Sequence, residues 1–158
     1  MPSLARFAFL LVFMVGCYSC EDSAEGVRQR YVTSHRDTFT FTSGTRARLA
    51  QPLSDLLAEK GYTLEPAPVT ADKLVAKRQN KKTSEEYVVH LIDLRQRAEL
   101  MVQLVHVTYA ADGTVESSDR DTELEWQLIQ RVDPDRALAI MNEANSRADK
   151  VPPRTRRP

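Results

Sequence analysis

Residues 86–110 read EYVVHLIDLRQRAELMVQLVHVTYA, and the fold turns on how this stretch is read. Residues 86–94 are rich in β-branched and aromatic side chains, as are residues 100–110, and each run is short enough for a strand. Both place apolar residues on two faces, which predicts neighbouring central strands covered at least partly on both sides. Residues 95–98 join them as a hairpin. Asp112-Gly113 is a second turn signal, and it makes residues 114–116 a short return strand.

Working outward, residues 37–42 read DTFTFT. Strict alternation predicts a half-buried strand with Phe39 and Phe41 facing the core. Ser43-Gly44 breaks it. Leu49, Leu53, Leu56 and Leu57 follow at helical spacing, and Gly61 stands where a helix C-terminal glycine belongs. Pro52 fits a helix start near Leu49; a start near Arg46 implies a bend. Residues 62–64 and 73–77 are further strand candidates, separated by the loop EPAP. Residues 122–132 fit both periods and are read here as a strand, because Thr122, Leu124, Trp126 and Leu128 alternate. Asp133-Pro134 starts a helix whose apolar stripe is Ala137, Leu138, Met141 and Ala144, ending near Lys150. The expected class is α+β: an antiparallel sheet of about five or six strands with two helices packed on one face.

At the other end of the chain, Arg6 precedes the uncharged apolar run of residues 7–16, FAFLLVFMVG. About 20 apolar residues are needed to cross a bilayer, so this run is too short to span one and fits the h-region of a secretory signal. It closes on Met14-Val15-Gly16-Cys17. This resembles the bacterial lipoprotein signal, although the commonest pattern has Leu in place of Met14 and a smaller residue than Val15. The resemblance covers about the first 20 residues. It implies Cys17 as the lipidated first residue of the mature chain, its thiol alkylated by a diacylglyceryl group and its amine often acylated. Tyr18, where an inner-membrane retention Asp would stand, implies the outer membrane if the organism has one. Cys20 is a weaker candidate, and with Cys17 modified it has no partner within the chain. LAEKGYTL followed by ADKLVAK also resembles small envelope lipoprotein domains in which a helix ends at Gly-Tyr and strands follow, without naming a family.

The expected organisation is a signal peptide over residues 1–16, a lipidated N-terminus and flexible polar tether over 17–36, one α+β domain over 37–150 and a disordered basic tail over 151–158. The 22 Lys and Arg balance 22 Asp and Glu, and a chain starting at Cys17 keeps 21 basic against 22 acidic groups. No overall charge points to nucleic acid.

The sequence has no G-x-S-x-G, P-loop, G-x-G-x-x-G or HExxH motif. Its carboxylate pairs, Glu85-Glu86 and Glu123/Glu125, read as solvated. Trp126, Tyr87 and Tyr109 read as core residues before they read as an exposed binding patch. His90 and His106 fall on adjacent strands, nearly opposite if the hairpin centres on Ala98, but two imidazoles fall short of the three ligands of a catalytic zinc site. Neither catalytic residues nor a metal or cofactor is expected. Two basic segments remain: Lys73, Lys77, Arg78, Lys81 and Lys82 around a hairpin tip, and Arg147, Lys150, Arg154, Arg156 and Arg157 in the tail. Lys77, Arg78, Lys81 and Lys82 are the candidate binding residues, able to meet an anionic envelope surface.

The expected function is therefore a lipid-anchored envelope protein, its domain binding a protein or glycan partner without catalysis. Sheet edges at residues 38–42 or 114–116 are candidates for strand addition. The alternatives are a soluble secreted binder or inhibitor, or a small hydrolase or metal protein built on His90 and His106.

Overall fold

The computed structural model describes residues 23–68, 70–79 and 84–152; Cys17, Cys20, Lys81, Lys82 and the last six residues, with Arg154, Arg156 and Arg157, lie outside them. The described residues form an α+β fold whose antiparallel sheet curls as a half-barrel. They divide into two compact units, residues 36–137 and residues 23–35 with 138–152.

The sheet belongs to the first unit. Its strands are β1 (Phe41–Thr42), β2 (Thr63–Leu64), β3 (Lys73–Gln79), β4 (Ser84–Leu94), β5 (Glu99–Tyr109) and β6 (Val115–Arg120). They run in the order β1-β5-β4-β3-β2, with β6 also pairing β5. The helices among the described residues are α1 (Ala24–Asp37), α2 (Arg46–Glu59), α3 (Thr122–Val132) and α4 (Pro134–Ala148).

The stretch that decides the fold forms the expected hairpin. Each strand is eleven residues long, with Ser84 opposite Tyr109 and Leu94 opposite Glu99. Arg95–Arg97 make a turn of 3-10 helix, and Ala98 closes it at φ 51°, a left-handed conformation unusual for a residue with a Cβ. The register centres the hairpin between Gln96 and Arg97. One face carries Tyr87, Val89 and Leu91 beside Leu100, Val102 and Leu104, all buried, together with Ala76 of β3. Against it pack α2, through Leu49, Leu53, Leu56 and Leu57, and α3, through Leu124, Leu128 and Ile129. The other face is less covered: Val88 and Val107 are buried, His90, Met101, Gln103 and Val105 half-buried, and Ile92 exposed.

Gly61 lies at φ 83°, where a side chain would be strained. Its N–H donates to the Ala58 carbonyl at 2.9 Å and the Tyr62 N–H to Leu57 at 2.9 Å, closing α2 and turning the chain directly into β2. Pro52 sits inside α2, which starts at Arg46, so the Arg48 carbonyl has no N–H to accept from residue 52.

Four elements differ from expectation. Residues 122–132 are a helix, not a strand. Asp121 caps it, its carboxylate accepting from the Leu124 N–H at 2.9 Å, and Glu123 and Glu125 stand in the first turn, where the helix dipole favours them. Residues 24–37 are a helix, within the stretch 17–36 expected to be a flexible tether. Ser23 caps it through the Gly26 N–H at 3.0 Å, and Glu25 pairs with Arg28 and accepts from Gln29, one turn on. Low apolar content concealed that local support. The first strand is shortened to two residues because α1 runs to Asp37, although Phe39 and Phe41 are both buried and meet edge-on at 5.0 Å. In α4, Ala137, Ala144 and Ala148 are buried but Leu138 is 60% exposed, so the buried stripe excludes it.

Candidate functional site

β3, β4 and β5 bring polar side chains together at the end of the sheet nearest residues 79 and 84. Tyr62 enters from the turn after α2. Its hydroxyl donates to Glu85 Oε2 at 2.9 Å and lies 2.9 Å from His106 Nε2. A phenol has one proton to give, so the second contact is made by an Nε2–H on His106 donating to the Tyr62 oxygen. The Tyr87 ring lies edge-on to Tyr62, with centroids 4.8 Å apart, and 5.0 Å from His106. Its hydroxyl donates to Asp121 Oδ2 at 2.8 Å, so it holds the residue that caps α3. Burial, and then the bond to Asp121, push the Tyr87 phenol well above its ordinary range; burial and the bond to Glu85 raise Tyr62 in the same way.

Beside this cluster lies an open cleft of about 200 Å³ lined by Lys77, Arg78, Ser84, Glu85, Glu86 and Tyr109. Lys77 Nζ is 2.9 Å from Glu65 Oε1, which raises the Lys77 pKa. Arg78 Nη1 is 3.8 Å from Glu85 Oε2, and its guanidinium carbon is 5.8 Å from the Tyr62 ring centroid. The Tyr109 hydroxyl donates to Glu86 Oε1 at 2.6 Å, and that bond raises its pKa. The described lining thus alternates donors and acceptors. Two of the four candidate binding residues, Lys77 and Arg78, line it, and each already has a carboxylate partner. Glu85 and Glu86 are half-buried hydrogen-bond acceptors, not the solvated pair the sequence suggested.

The other candidates separate. His90 stands opposite Gln103, and His106 opposite Tyr87. Tyr87 and His90 are three residues apart on one strand, so the two histidines point to opposite faces and form no common pair. Among the described residues no three His, Cys, Asp or Glu side chains are grouped to hold a metal ion. Trp126 and Tyr87 are buried, and Tyr109 is half-buried. In the second unit, Arg147 Nε binds Glu143 Oε1 at 2.8 Å and its guanidinium lies 4.5 Å from the Tyr31 ring centroid.

Glu125 is the polar residue the sequence most misrepresents. It is 3% exposed. Its carboxylate takes Arg120 through Nε at 2.8 Å and Nη2 at 2.7 Å, and Oε1 also accepts the Leu104 N–H at 2.9 Å. The Leu104 carbonyl accepts from the Asp121 N–H at 2.8 Å. Both main-chain groups of Leu104, just past the end of β6, are therefore satisfied from the start of α3. Glu125 next to Trp126 in a helix-compatible run was the available signal, and the strand reading hid it. No family model, curated protein or solved structure matches the chain.

Proposed function

We propose that this chain is a lipid-anchored cell-envelope protein whose α+β domain binds a protein or glycan partner and does no catalysis. The observation that carries the anchor is Met14-Val15-Gly16-Cys17 at the end of an apolar run too short to cross a bilayer. Among the described residues no helix is long and apolar enough to cross a membrane. A thioether-linked diacyl group and an amide-linked chain at Cys17 give two or more acyl chains, which anchor stably where one does so marginally. The binding part of the reading is supported by the cleft at Lys77, Arg78, Ser84, Glu85, Glu86 and Tyr109, which offers both donors and acceptors. Its polar groups are engaged with one another, and Tyr62, Tyr87 and Tyr109 hold their protons more firmly than a free phenol. That favours recognition by exchange of hydrogen bonds over acid–base chemistry at neutral pH.

The test is metabolic labelling with a radioactive fatty acid and intact mass of the mature chain. Wild type is expected to take up label and partition with membranes, and Cys17→Ser to lose both. An unlabelled mature chain starting downstream of Cys17 overturns the anchor and favours the secreted alternative.

A further inference from the structure

β6 lies at an edge of the sheet, and the phase of its backbone is fixed. The Asp121 N–H reaches the Leu104 carbonyl at 2.8 Å, and the same register sets His106 opposite Asp119 and Thr108 opposite Ser117. Residues 117, 119 and 121 therefore turn their main-chain groups toward β5, and Ser118 and Arg120 turn theirs outward. Among the described residues β6 pairs with β5 alone. Except for Ser117, its residues are exposed, with Val115 at 58%.

The strand's sequence, VESSDR, is complementary to itself when reversed. An antiparallel pairing of two copies about a two-fold axis at Ser118 sets Ser118 against Ser118, Ser117 against Asp119 and Glu116 against Arg120, each of the unlike pairs occurring twice. The outward groups of Ser118 then meet their own counterparts, and Arg120 stands beside Glu116, the residue the bulge leaves without a partner in β5. The bulge between Thr108 and Tyr109 places the extra residue at Glu116, at the periphery of this pairing and away from its axis. Slipping the register by two in one direction sets Asp119 against Asp119. Slipping it the other way sets Ser117 against Ser117 and Glu116 against Ser118, which loses both Glu116–Arg120 pairs. The Ser118-centred register opposes opposite charges, and cross-strand pairs of that kind favour it. Arg120 holds Glu125 through Nε and Nη2, so Nη1 lies outside that pair.

We propose that β6 is a self-association edge, joining two copies of this chain through an isologous antiparallel β6–β6 contact. Charged edge strands ordinarily deter pairing; here the charges oppose one slipped register and reward only the one centred on Ser118.

Sedimentation analysis of the full chain in nonionic detergent, with micelles in excess, tests this independently of lipid attachment. Wild type is expected to show a monomer–dimer equilibrium weakened by salt. Ser118→Pro removes an outward N–H while sparing the ladder to β5, and is expected to raise the dissociation constant by at least about tenfold. Glu116→Lys, which sets Lys against Arg120 of the second copy, is expected to do the same. Circular dichroism checks folding, and if Ser118→Pro does not fold, Glu116→Lys decides. A chain that stays monomeric at every concentration overturns the proposal, as does a dimer that folded variants leave unchanged.

Discussion

Arg120 holds Glu125 at 2.7 Å, and Lys77 holds Glu65 at 2.9 Å. The bond lengths are alike and the settings are not. Glu125 has 4% of its side chain exposed and Arg120 32%, whereas Lys77 and Glu65 are half in solvent at 51% and 49%. Water screens the second pair and would solvate either partner left alone. The first carboxylate has given up its hydration, and what replaces it is Arg120 and the Leu104 N–H. A buried carboxylate so paired contributes little net stability against an apolar substitute, but removing Arg120 would strand its charge. The inner cluster is therefore architectural: it ties the start of α3 to β5. The outer cluster can release its partners to a ligand at small cost.

Removing Glu125 should separate the two settings most widely. Glu125→Ala returns the exposed Arg120 to water but leaves the buried Leu104 N–H unsatisfied, and should cost about 2 kcal/mol in urea unfolding. Glu125→Gln keeps an acceptor for Leu104 and should cost roughly half as much. Equal losses for the two variants would mean that the charge, and not the main-chain bond, does the work.

The next effect belongs to Tyr87, between the two clusters. Tyr87→Phe removes the bond to Asp121 and should cost about 1 kcal/mol at neutral pH. The pH dependence gives a sharper readout. The folded state raises the Tyr87 pKa above the ordinary phenol value of 10.0, so the folded chain keeps a proton that the unfolded chain releases. That stability is fully present below pH 10 and is lost as the pH rises toward the folded value. Melting temperatures measured upward from pH 9 should fall more steeply for wild type than for Tyr87→Phe. Parallel curves would show that Tyr87 does not favour the neutral phenol on folding.

The same contrast explains how much of the molecule could be read from the sequence. The hairpin of β4 and β5, the leucines of α2 and the glycine that ends it are patterns within a few residues, and local patterns survive in the primary structure. Residues 122–132 satisfied two periods at once. Asp121 is the deciding signal, since a cap followed by Glu123 and Glu125 makes a helix start. The candidate site depended on register. Lys77 and Arg78 were visible as basic residues, but their partners Glu65 and Glu85 lie across a loop and a hairpin, and only the pairing of β2, β3 and β4 brings them close. Tyr62 and His106, 44 residues apart in sequence, meet for the same reason.

The smallest expected effect is at the exposed end of the comparison. Lys77→Ala deletes the ammonium that Glu65 holds, yet Glu65 is left in water, which solvates it. No buried group loses a partner, so the urea midpoint should stay within measurement error of wild type. If the cleft is the binding surface, the same substitution should weaken capture of the envelope partner, because a charge that contributes little to folding still contributes to recognition. A stability loss near that of Glu125→Ala would show that Lys77 belongs to the architecture, and it would move the candidate surface away from the cleft.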